Sequence, residues 1–98
     1  MTKTEYLLAC LAEECAEVSK AALKALRFGL DDFDPETPMI TNTMALLDEL
    51  TDLATTAQML EIQTHRRFHS EGLSRIDRMK RKRVEVYMEK LGMEKERP

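Results

Sequence analysis

Glu13-Glu14-Cys15-Ala16-Glu17 and, further along, Glu49-Leu50-Thr51-Asp52 are two acidic clusters set in strongly helical sequence. Carboxylates three positions apart share one side of a helix, so Glu14 with Glu17, and Glu49 with Asp52, each present a pair of oxygen ligands. Both pairs also touch apolar stripes. Around the first, Leu7, Leu11, Val18, Ala21, Ala22, Ala25 and Phe28 recur at helical spacing, and Glu14 stands seven residues after Leu7 and four before Val18. Around the second, Leu46, Leu53 and Leu60 recur every seven residues, with Glu49 three after Leu46 and four before Leu53. A carboxylate aimed at a core stripe is costly unless something compensates its charge. Two such helices face to face bring four carboxylates together, which is a site for a hard divalent cation such as Mg²⁺.

Working outward from the clusters, the first helix is predicted to start at Thr2, because Thr2-x-x-Glu5 has the form of a capping box, and to end near Phe28 with Gly29 as its cap. Residues 29–42 contain two prolines and four acidic residues and read as a connecting loop. Helical geometry gives that loop a task. Glu17 lies about 18 Å from the end of the first helix, whereas Glu49 lies about 9 Å into the second, so the loop must climb about 9 Å to level the two pairs. The second helix is expected to start at Asn42 or Thr43, either of which caps it, and to run to about Thr64. Leu47, Leu50, Ala54, Ala57 and Met59 make it apolar around much of its circumference, which implies burial on more than one side. A third helix is expected from about Ser74 to Leu91, with Ile76, Met79, Val84, Tyr87 and Leu91 on its apolar side and Gly92 ending it. The last residues read as frayed.

Composition agrees with an all-α domain. The chain has 98 residues, three glycines, three prolines and few aromatics, and no segment reads as a β-strand. At this length one chain buries only a modest core, so three main helices completing a four-helix-type core through self-association is the expected architecture. Charged residues make up 34% of the chain, no apolar run approaches a membrane span, and the N-terminus lacks a signal-peptide pattern, so the expected compartment is the cytoplasm. Cys10 and Cys15, five positions apart on a helix, point in different directions and cannot pair; both are expected to be buried or half-buried. The net charge of −3 conceals an asymmetry: residues 1–64 carry four basic and twelve acidic side chains, and residues 65–98 carry eleven basic and six acidic. An acidic body, net −8, joins a basic C-terminal third, net +5.

Glu13-Glu14-x-x-Glu17 followed by Glu49-x-x-Asp52 resembles the signature of the MazG-like all-α nucleoside triphosphate pyrophosphohydrolases, a group that includes dimeric dUTPases and phosphoribosyl-ATP pyrophosphohydrolase. The flanking residues resemble its short members too: Leu11-Ala12, Arg27-Phe28-Gly29-Leu30-Asp31, Thr41-Asn42, Leu53 and Met59-Leu60. The likeness covers residues 5–62 well and the C-terminal helix loosely. It implies a homodimer or dimer of dimers in which Glu14, Glu17, Glu49 and Asp52 hold Mg²⁺, with Mn²⁺ as a substitute. It further implies that Glu13 supports the site, that Glu13 or Glu17 takes a proton, and that water attacks the α-phosphorus of a nucleoside triphosphate to release pyrophosphate.

The rest of a triphosphate needs cations. Lys20 and Lys24 sit one and two turns beyond Glu17, within reach of phosphate oxygens. In the third helix, Lys80 and Arg83 loosely resemble the basic pair that contacts phosphate in the short members. Asn42 and Asp31 border the expected pocket and are candidates for base or sugar recognition; Phe28 and Phe33 are candidates to stack on a base, although an aromatic at the end of an amphipathic helix is more often core. Each motif also has a plainer interpretation: the carboxylates as solvated helix residues with Glu17 paired to Lys20, and the basic third helix as a solvated face. His65 and His69 have zinc-chelating spacing but no third ligand, and read as surface or interface residues. Two other functions compete with the enzyme, a catalytically silent helical interaction protein and a small nucleic-acid-binding module using Arg78 and Lys80 to Arg83.

Overall fold

The computed structural model describes residues 1–67, 71–94 and 96, and their side chains apart from those of residues 71–76. Three α-helices follow one another: α1 (Lys3–Phe28), α2 (Asn42–Thr64) and α3 (Glu71–Lys90). Among the described residues no strand forms, and Phe33 and Thr41 make one isolated antiparallel bridge. The chain divides into two compact units, Met1–Arg66 and Arg67–Pro98.

In the first unit α1 and α2 form an antiparallel hairpin. The capping box at Thr2 is complete: the Thr2 N–H donates to Glu5 Oε1 at 3.1 Å, and the Glu5 N–H donates to Thr2 Oγ1 at 3.1 Å. Those bonds favour the charged form of Glu5 and hold its carboxyl below the usual range. Two helix faces meet as the stripes predict. Leu7, Leu11, Glu14, Val18 and Ala21 are half-buried and Ala25 is buried; opposite them Leu46, Glu49, Leu53 and Ala57 are half-buried and Leu60 is buried. Ala22 and Phe28, expected on the same stripe, are exposed. Cys15 is exposed as well, correcting its expected burial, because it lies one position beyond Glu14 and so turns away from the helix contact; Cys10 is half-buried and both thiols are free.

The connection from Gly29 to Thr41 is pinned at its base. Thr41, and not Asn42 or Thr43, caps α2, its hydroxyl accepting from the Met44 N–H at 3.2 Å. The two preceding free N–H groups of the helix are satisfied by the loop: Asn42 N–H donates to the Asp32 carbonyl and Thr43 N–H to the Leu30 carbonyl, each at 2.9 Å. Asn42, 4% exposed, also donates its side-chain amide to the Gly29 carbonyl at 2.8 Å. These contacts tie the end of α1 to the start of α2 and fix how far the loop climbs.

Gly29 makes the turn possible. Its N–H bonds the Ala25 carbonyl at 2.8 Å, and its backbone sits at φ 99°, ψ 150°, a region that side chains other than glycine avoid. A Cβ there meets no atom within 4 Å, so the cost of adding one is in the backbone alone. Gly29→Ala is expected to lower stability by about 1–3 kcal/mol, read as a lower urea midpoint at unchanged slope.

At the other end of α2, His65 adopts φ 55°, and His65 and Arg66 donate to the Ile62 and Glu61 carbonyls. This is a Schellman cap built on a non-glycine residue. In the second unit α3 begins at Glu71, one turn earlier than expected, and Gly92 at φ 64° closes it with a second Schellman cap, Gly92 and Met93 donating to Glu89 and Met88. Met79, Val84, Tyr87 and Leu91 are exposed, and the expected contribution of Ile76 lies outside the described side chains, as His69 lies outside the described residues. No helix, among the described residues, is long and apolar enough to cross a membrane.

Candidate metal centre

Glu14 comes from the middle of α1, and Glu49 and Asp52 from the second and third turns of α2. One ligand oxygen from each lies within 4.8 Å of the others. The loop therefore levels the two helices as the spacing requires. Glu14 and Glu49 are half-buried and Asp52 is exposed, so the cluster sits at the rim of the helix contact, open on the Asp52 side.

The electrostatics are one-sided. Burial pushes the Glu14 carboxyl above its ordinary value of 4.5, and the negative charges of Asp52, Glu49, Glu17 and Glu13 push it further in the same direction. Among the described residues, no lysine or arginine pairs with Glu13, Glu14, Glu17, Glu49 or Asp52, so the plain alternative of a Glu17–Lys20 pair does not form. Carboxylates gathered without a direct ion pair among the described residues are what a cation requires.

The donor set fits Mg²⁺. All three ligands are hard carboxylate oxygens, without sulfur or imidazole. Mg²⁺ binds oxygen at about 2.1 Å, so neighbouring ligand atoms around it stand about 3 Å apart and opposite ones about 4.2 Å. Oxygens already within 4.8 Å close to those separations by side-chain rotation.

Glu17 falls outside this trio. It is exposed and borders a recess of about 190 Å³ with Lys20, Lys24, Asn42, Ala45 and Glu49. Glu49 thus belongs both to the carboxylate trio and to a pocket that carries two lysines. Lys24 and Asn42 continue into a second recess of about 250 Å³, where Phe28, Asp32, Phe33 and Asp34 line the wall. Glu13 is exposed and contributes charge to the site. Asp31 is exposed in the loop and is not among the residues bordering either recess. Lys80 and Arg83 are exposed on α3, in the second unit, where Arg81 pairs with Asp77 at 3.4 Å.

The aromatic wall departs from the favoured reading of these rings as core. Phe28 and Phe33, expected in the core, are 56% and 47% exposed, and the signal that distinguishes them is the glycine between them, which turns the chain out of the helix stripe. A larger apolar recess, about 680 Å³, lies at the start of α1 between Tyr6, Leu7, Met59 and Ile62, and it holds none of the acidic cluster. Compared with protein-family models, curated proteins and solved structures, the chain matches none.

Proposed function

We propose that this protein is a Mg²⁺-dependent nucleotide pyrophosphohydrolase that converts a nucleoside triphosphate or related nucleotide to the monophosphate and pyrophosphate. The observation that carries this reading is the convergence of Glu14, Glu49 and Asp52 beside a recess bearing Lys20 and Lys24. A metal alone needs only the acids. Two lysines held next to them, in a pocket that shares Glu49, suit a polyphosphate that spans from the cation to the lysines. The MazG-like pattern of the acidic motifs supports the same assignment.

On this reading Glu14, Glu49 and Asp52 hold the ion, which supplies neutralisation of phosphate charge and activation of water. Lys20 and Lys24 orient the phosphate chain and stabilise the charge that builds on it as the bond between the α-phosphorus and its bridging oxygen breaks. Water adds to the α-phosphorus, its proton passes to a carboxylate, and pyrophosphate departs. Glu17, which borders the recess, and Glu13, whose charge acts on Glu14, are the candidates to take that proton.

The apolar surface supports self-association, and the proposal places the enzyme in the cytoplasm. Among the described residues the only buried apolar side chains are Ala25 and Leu60, while Leu47, Leu50, Met59 and Ile62 stand exposed on α2. A second copy is the cover that this reading assigns to them, in a dimer or a dimer of dimers.

Pyrophosphate release from a panel of canonical and modified nucleotides, measured with Mg²⁺ and again with chelator, tests the enzyme. The expected result is release from at least one nucleotide, dependent on the metal. Silence across the panel would leave the helical interaction protein. Salt-sensitive binding of DNA or RNA, lost on replacing Lys80 through Arg83, would instead favour the nucleic-acid module.

A further inference from the structure

We infer that the recess beside Phe28 and Phe33 is a nucleobase subsite, selective for bases that carry an exocyclic amino group. The inference rests on the proposed nucleotide chemistry and deepens it by naming what lies at the other end of the phosphates.

The two recesses differ in their cations. The one next to Glu49 sets Lys20 and Lys24 against Glu17 and Glu49, and Lys24 and Asn42 border both recesses. Beyond them the wall changes to two phenyl rings and the side chains of Asp32 and Asp34. Two lysines balance the two carboxylates of the near recess, and the proposed cation adds positive charge at Glu49, whereas Asp32 and Asp34 outnumber the one shared lysine of the far recess, so the phosphates belong on the Lys20 side. The far recess suits a flat, uncharged group that brings hydrogen-bond donors.

A nucleobase is such a group. Its faces stack on phenyl rings, and an amino edge donates to a carboxylate. Asp34 is already engaged, its Oδ1 accepting from the Glu36 N–H at 2.9 Å. The Asp32 carboxylate makes no hydrogen bond among the described residues and is available to accept. Cytosine, adenine and guanine carry the amino donor; uracil presents a carbonyl at the corresponding edge of the pyrimidine, which a carboxylate disfavours.

The subsite is also held in place. Phe33 is bridged to Thr41, the Asp32 carbonyl accepts from Asn42 N–H at 2.9 Å, and the Asn42 amide grips the Gly29 carbonyl immediately after Phe28. Both rings are therefore carried on backbone tied to the N-terminus of α2, the helix that supplies Glu49. Along α1, Phe28 stands about 6 Å beyond Lys24 and about 16 Å beyond Glu17. That order seats the base against the rings, the sugar against Lys24 and Asn42, and the first phosphate beside Lys20 and Glu49.

Calorimetric titration of the full chain with Mg²⁺ and α,β-imido analogues of cytidine, adenosine and uridine triphosphates, with inorganic tripolyphosphate as the base-free probe, tests the assignment. Wild type is expected to bind the cytidine or adenosine analogue more tightly than the uridine analogue. Phe33→Ala should weaken the preferred analogue by about tenfold or more, leave tripolyphosphate within about twofold, and regain affinity as Phe33→Trp. Asp32→Asn should weaken the amino-bearing analogues and spare the uridine one. Unchanged binding of the analogues by Phe33→Ala, or a preference for uridine, overturns the subsite while leaving the hydrolase intact. If wild type binds neither tripolyphosphate nor any analogue and releases no pyrophosphate, the hydrolase reading fails, and the subsite with it.

Discussion

Glu14→Gln and Asp52→Asn are each expected to lower Mg²⁺-dependent pyrophosphate release by at least about a hundredfold, because each removes a charged oxygen from a three-carboxylate set aimed at one point. Both substitutions keep size and shape, so the helices should retain their packing; far-ultraviolet circular dichroism and the urea midpoint check that. The loss should fall mainly on kcat at saturating Mg²⁺ if the ion acts chiefly in the transition state. Raising Mg²⁺ should rescue Asp52→Asn better than Glu14→Gln, since Asp52 is exposed where water can take its place and Glu14 is half-buried. Glu17→Gln separates proton transfer from metal binding: its expected signature is a lowered kcat with little change in Mg²⁺ affinity. Activity indifferent to Glu14 and Asp52 alike would remove the trio from the chemistry.

Where the sequence was informative, helical period was the reason. Leu7, Leu11 and Val18 on one helix and Leu46, Leu53 and Leu60 on the other placed Glu14 and Glu49 on facing stripes, and the structure joins them with Asp52. The capping box at Thr2 and the turn at Gly29 were readable because each leaves a local mark that no distant contact overrides. What period does not encode is how two helices rotate against each other. Glu17, one turn from Glu14, lies on the lysine recess and not in the trio, although spacing alone made the two equivalent. Asn42 illustrates a second gap: as a polar residue at a helix start it read as a cap or a ligand contact. Its amide is committed to the Gly29 carbonyl, thirteen residues back, and only the closed loop supplies that partner. The apolar residues Leu47 and Leu50 show a third limit, since a sequence reports that a side chain wants cover and not what covers it.

The same carboxylate cluster sets the protein's response to pH and metal. Glu14 is held above its ordinary value of 4.5, by burial first and then by the charges of Asp52, Glu49, Glu17 and Glu13, so the folded state keeps this proton to a higher pH than the unfolded chain does. A raised pKa means that the folded state binds more protons across that window, and stability must fall as pH rises through it. The contribution is complete below the ordinary glutamate range and is lost once Glu14 ionises. In metal-free protein, then, the urea midpoint of wild type relative to Glu14→Gln should decline from pH 4 to pH 7. Adding Mg²⁺ should reverse the trend, because the ion binds the deprotonated cluster and only in the folded state. At a hundredfold excess over its dissociation constant, the ion should raise Tm by on the order of 10 °C for a domain of this size. The shift should grow from pH 5 to pH 7 as Glu14 gives up its proton to the cation, and it should shrink sharply in Glu14→Gln. An equal Mg²⁺ shift in that variant would mean that the ion stabilises the protein through other carboxylates, and Glu14 would then be an acid strained by its neighbours without a cation to relieve it.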